Sequence, residues 1–158
     1  MVGFQRVIAG HGVLMILCTL LFGVGFWMSL LGGFELIPGT VLEFNVPGTP
    51  EGWRKAHTGP ALNGMMVLGV AIVLPMLTFE ARKSRLLAWV VVADGWSNVA
   101  FYFFGNLAVN RGLSFGDNQF GEGNYFSVLA LGPAYVFGLL AIGALFLIGK
   151  NLVGPVKR

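Results

Sequence analysis

The sequence predicts an all-α integral membrane protein, a bundle of four spanning helices. Two observations lead there. Of 158 residues, 56% are hydrophobic and 11% charged, too little charge to cover a soluble domain of this length. Four apolar runs, about 7–32, 58–79, 86–107 and 126–149, each reach the roughly 20 residues needed to cross a hydrocarbon core of about 30 Å. The chain reads as one membrane domain over residues 1–158, with two long loops at about 33–56 and 108–125.

The first run stays apolar well past the roughly 7–15 residues of a signal-peptide core and shows no small-residue cleavage site, so it reads as a retained helix. Its Cys18 is the single cysteine, which excludes an internal disulfide and a cysteine-based metal cluster. The loop that follows, GFELIPGTVLEFNVPGTPEGWRKA, is rich in Gly and Pro. Together with 108–125 it carries Phe44, Trp53, Phe115, Phe120 and Tyr125, aromatics that suit packing at a membrane interface rather than disorder. Pro75 in the second run and Pro133 in the fourth predict kinks. The connection between runs two and three, EARKSR, reads as a tight turn. Ala134 and Gly138, four apart, allow close helix approach.

Four spans put both termini on the side of the second-to-third connection. That side carries Arg6, Arg82, Lys83, Arg85, Lys150, Lys157 and Arg158; the other carries Arg54, Lys55 and Arg111. The asymmetry predicts a multi-pass protein of the inner membrane with cytoplasmic termini. A net charge of +3, scattered in this way, excludes a nucleic-acid partner.

The polar residues inside the apolar runs are the chemical signal. In the third run, LLAWVVVADGWSNVAFYFFGN, Asp94, Asn98 and Tyr102 recur every four residues and share one helix face. An acid at the centre of a span costs about 2.5–3.5 kcal/mol on insertion scales, so it must face protein or a cavity. Asp94 and Asn98 read equally well as polar glue between helices. The segment RKAHTGPALNGMM places His57 at the mouth of the second run and Asn63 about 9 Å deeper. Because runs two and three are antiparallel, His57, Asn63 and Tyr102 share one depth, with Asp94 below. A pocket accounts for this better than two separate accidents. His57 is a natural ligand for a metal or haem iron. The only other histidine, His11, lies near the opposite membrane face, so the two cannot ligate one haem within a subunit.

The strings AGHGVLMILCTLLFGVGFWMSLLGGFE, VPGTPEGWRKAHTGPALNGMM, DGWSNVAFY and NRGLSFGDNQFG resemble bacterial styrene oxide isomerases, from about residue 3 to 150. The resemblance implies a homotrimer in the lipid bilayer with ferric haem b between neighbouring subunits and His57 as its axial iron ligand. It further implies that Asn63 and Tyr102 orient an epoxide oxygen over the haem and that Asp94 is a further functional position in the pocket. The implied reaction turns an aryl epoxide into an aldehyde, styrene oxide into phenylacetaldehyde. Two other readings of the residues stand beside it: a small membrane cytochrome b carrying electrons, and a haem-free helical protein that binds a partner or moves a solute.

Overall fold

The computed structural model describes residues 2–155, so the positive-inside residues Lys157 and Arg158 lie outside the described residues. Four helices, α1 (Val2–Leu31), α2 (Pro50–Val73), α3 (Ala81–Leu107) and α4 (Tyr125–Val153), are each long and apolar enough to cross a membrane. At 1.5 Å per residue the 30 residues of α1 span about 45 Å, more than a hydrocarbon core. The sequence located all four spans, and their ends moved.

The loop over 33–56 is the largest departure from the expected all-α chain. Its first part is a two-stranded antiparallel hairpin, β1 (Gly33–Ile37) and β2 (Thr40–Glu43), turning at Gly39 with φ 82°. Its last part is already helix. Thr49 caps α2, its hydroxyl accepting from the Gly52 N–H at 3.0 Å; Pro50 opens the first turn and Glu51 suits the positive end of the helix dipole. Hydropathy sets the start of this helix at residue 58, because the capping turn is polar; the cap sets it at 50. His57 therefore sits two turns inside α2, not at its mouth. Trp53 likewise is not an interfacial loop aromatic: it is 8% exposed, and its indole N–H donates to the Pro47 carbonyl at 2.9 Å.

Pro75 does not kink α2 but ends it. A proline offers no N–H to the preceding turn, so the α-helix stops at Val73 and continues only as a 3₁₀ turn over Leu74–Met76. Pro133 stays inside α4. The EARKSR segment is also mostly helical, since α3 begins at Ala81. The turn before it is tied to the end of α4 by Asn151, which accepts from the Thr78 N–H at 3.0 Å and donates to the Thr78 hydroxyl at 2.8 Å.

The helices pack with α2 and α3 in the centre, α1 along α2 and α4 along α3. In α2 and α3, 44% of the spanning window is buried; in α1 and α4, 17%. The outer faces of α1 and α4 are thus left to lipid or to another protein. Where α1 meets α2 the backbones nearly touch: a Cβ on Gly12 would lie 2.8 Å from the Gly64 carbonyl oxygen, and one on Gly64 2.6 Å from that of Gly12. Ile8, Met15, Val67, Leu74, Leu87 and Val91 form the core around this crossing.

Candidate active site

His57 faces α1. Its Nδ1 lies 2.8 Å from the backbone carbonyl oxygen of Thr19, an atom that can only accept, so Nδ1 carries the proton and Nε2 keeps its lone pair. The ring fits because residue 23 is glycine: a Cβ there would stand 2.8 Å from Nδ1 and 2.9 Å from Cε1. Phe26, one turn further along α1, lies alongside at 6.1 Å between centroids with planes 27° apart. A carbonyl on Nδ1 fixes ring orientation and tautomer and raises the basicity of Nε2, the arrangement that prepares an imidazole for a metal.

Tyr102 and Asn63 face the other way. Gly59 is where α2 approaches α3, and any side chain there would overlap the Tyr102 ring. Asn63, one turn beyond Gly59 and within about 40° of it around the helix, is 8% exposed and donates to the Gly59 carbonyl at 3.3 Å. His57, two residues before Gly59, is turned about 200° from it. The expected single pocket is thus divided within one chain: α2 presents the histidine on its α1 side and Asn63, with Tyr102, on its α3 side. Equal depth was legible in the sequence, but helix azimuth separates the groups.

Below Tyr102 the i, i+4 strip is real. The Asn98 side-chain N–H donates to Asp94 Oδ1 at 3.1 Å, and Asp94, 6% exposed, faces Gly138 of α4, where a Cβ would come within 3.8 Å of the carboxylate. Gly138 borders the carboxylate from the α4 side, and a methyl group there would sit in ordinary van der Waals contact with it. His11 is occupied differently from His57. The Trp96 indole N–H donates to its Nδ1 at 3.0 Å, and Trp89 meets the ring edge-on at 5.3 Å. Indole only donates, so the His11 lone pair lies on Nδ1 and the proton on Nε2. The two histidines hold opposite tautomers, and only His57 offers Nε2 as a ligand.

Tyr102 lines a cavity of about 410 Å³ at the hairpin end of the helices, together with Phe101, Asn106, Lys55, Arg111 and Phe120. Its roof is the 108–124 segment, organised by the fully buried Asn110. That amide donates to the Ser114 and Gly116 carbonyls at 2.9 and 2.8 Å and accepts from the Gly112 N–H and the Ser127 hydroxyl at 3.0 and 2.6 Å. Asn106 anchors the start of α2 by accepting from the Thr49 N–H at 2.8 Å. Thr19, Gly23, Gly59, Asn106 and Asn110 are the positions the sequence reading missed. The glycines in GVGF and HTGP mark them in retrospect as points of close approach.

Among the described residues no three His, Cys, Asp or Glu side chains converge, so a bare metal ion has no cage. A porphyrin iron needs only an axial side chain, and His57 with its free Nε2 fits that requirement.

A profile of the family described as styrene oxide isomerase matches residues 4–153. A protein of Pseudomonas fluorescens named styrene-oxide isomerase is 65% identical over 131 residues, covering 83% of this chain and 78% of that protein. The matched region contains His57, Asn63, Asp94 and Tyr102, and the chain belongs to the styrene oxide isomerase family.

Proposed function

We propose that this protein isomerises aryl epoxides to aldehydes, styrene oxide to phenylacetaldehyde, in the bacterial inner membrane with its termini in the cytoplasm. The supporting observation is the family relationship across residues 4–153, which takes in every polar position singled out above. The reaction is an intramolecular rearrangement: the benzylic C–O bond breaks, a hydride moves from the terminal to the benzylic carbon, and the carbonyl forms with no net electron transfer. Haem b, ferric and held by His57, would supply a Lewis acid for the epoxide oxygen.

The chain's own residues do the rest. The Thr19 carbonyl and Gly23 hold the His57 ring with its proton on Nδ1, so that Nε2 keeps its lone pair for the iron. Tyr102 and Asn63 donate to the epoxide oxygen and fix its position, so that charge develops against dipoles already in place. Asp94 orients Asn98 beneath them through their hydrogen bond. Phe101 and Phe120 give the arene an apolar wall and exclude water, which would otherwise capture the benzylic cation as a diol.

His57 and Tyr102 lie on opposite sides of α2, an arrangement that suits a histidine of one copy serving the tyrosine of the next. This supports a homotrimer with haem at each boundary, and the weakly buried α1 and α4 supply apolar surface for it. The electron-carrying alternative needs a second strong ligand, whereas the His11 lone pair is engaged by Trp96.

The test is membranes from cells expressing this chain, incubated with styrene oxide beside a His57→Ala version. Phenylacetaldehyde from the parent alone is the expected result. A well-expressed, haem-loaded parent that makes none would leave electron transfer as the better reading.

A further inference from the structure

The three positive residues that break the charge asymmetry, Arg54, Lys55 and Arg111, are the feature the isomerase chemistry leaves unused. All three stand at the hairpin end of the helices, and each flanks one of the two half-sites. Arg54 precedes His57 by three residues, one turn nearer the hairpin end on the same side of α2. It is exposed. Lys55 and Arg111 line the cavity that Tyr102 opens on.

Arg111 carries a second signal. Its backbone has φ 61°, the left-handed region that a side chain rarely adopts, and it is the one non-glycine residue to do so among the described residues. Gly112 beside it, at φ 65°, meets the same demand without penalty. The Asn110 hydrogen bonds hold this turn in shape. The strain is tolerated at a position whose side chain lies over the Phe120 ring, 4.1 Å from its centroid, at the cavity wall. A guanidinium held against an aromatic ring still carries N–H groups whose fork matches a carboxylate.

Resting on the haem reading above, we infer that Arg54 on the His57 side and Arg111, assisted by Lys55, on the Tyr102 side bind the two propionate carboxylates of the haem. The porphyrin's charged edge then points to the hairpin end, and its apolar edge runs down into the membrane. Haem would otherwise bring two carboxylates into a setting where unpaired charge is costly. This also explains why positive residues persist on the side the charge rule disfavours: they serve a ligand and not topology.

The test compares haem b with its dimethyl ester, in which both carboxylates are masked, titrated into the purified full-length apoprotein in detergent and followed by Soret absorbance. The parent should bind the diacid at least about tenfold more tightly than the diester. Arg54→Gln and Arg111→Gln should each weaken diacid binding about tenfold while leaving diester binding unchanged, and Arg54→Lys should recover part of the loss. Intact diester binding shows that each variant is folded. A parent that binds both forms equally overturns the inference while the haem reading stands. Variants that keep the full preference for the diacid, or lose both forms alike, overturn it as well. A parent that binds neither form removes the inference together with the haem reading on which it rests.

Discussion

His57 Nδ1 and the carbonyl oxygen of Thr19 meet at 2.8 Å across the α1–α2 interface, and that contact decides which nitrogen of the imidazole is free. It exists only because Gly23 has no side chain to occupy the same space.

Gly23→Ala therefore displaces the ring without altering any group that touches substrate. Disturbing the partner that orients a metal ligand typically costs 10- to 100-fold, and haem affinity should fall by about that factor. Soret titration of the variant measures it; unchanged affinity would mean that the Thr19 contact does not set the ring.

Gly59→Ala moves the other half-site. The Tyr102 ring has no space beside a methyl group at 59, so the hydroxyl shifts while His57 stays. Turnover should drop about 100-fold, as misplacement by about 1 Å can cost that much, with the haem spectrum retained. A variant that loses haem as well would show that the two faces of α2 are not independent.

Tyr102→Phe and Asn63→Ala remove the two donors proposed to position the epoxide oxygen. Each should lower kcat, by up to about 10²–10³-fold if the donor acts at full strength on developing charge, with little change in KM. Full activity in both variants would sink the roles assigned to them.

His11→Phe should leave the haem spectrum and activity at parental levels, since the lone pair of His11 is committed to Trp96. Loss of that hydrogen bond costs roughly 1 kcal/mol of stability, visible as a lower Tm. A change in spin state on replacing His11 would revive it as an iron ligand.

Asp94→Leu leaves the Asn98 amide without its acceptor. Asn98 is half-buried, so its unpaired donor should cost about 1 kcal/mol, the low end for an unsatisfied group, and thermal unfolding in detergent should show it. Asp94→Asn, which keeps an acceptor of the same shape, should cost less. Equal destabilisation by both would point to the charge rather than the hydrogen bond.

Much of this protein follows from its sequence alone. Hydropathy identifies the four helices long and apolar enough to span a membrane, because each holds about 20 apolar residues. The cost of a polar group in lipid picks out His57, Asn63, Asp94, Asn98 and Tyr102 before any contact is known. The strip from Asp94 to Asn98 needs only helix periodicity, and it closes at 3.1 Å.

The rest is tertiary. Hydropathy misplaced the start of α2 because the Thr-Pro-Glu turn is polar yet helical, and the hairpin ahead of it carries no apolar run of spanning length. Which nitrogen of each histidine is free depends on a carbonyl in one case and an indole in the other. Every residue has that carbonyl, so only packing can select the one at Thr19. The separation of His57 from Tyr102 depends on how α1 and α3 sit against opposite sides of α2. Glycines at 12, 23, 59 and 64 set those approaches, because the missing Cβ lets one helix backbone, or one ring, come close enough to be held.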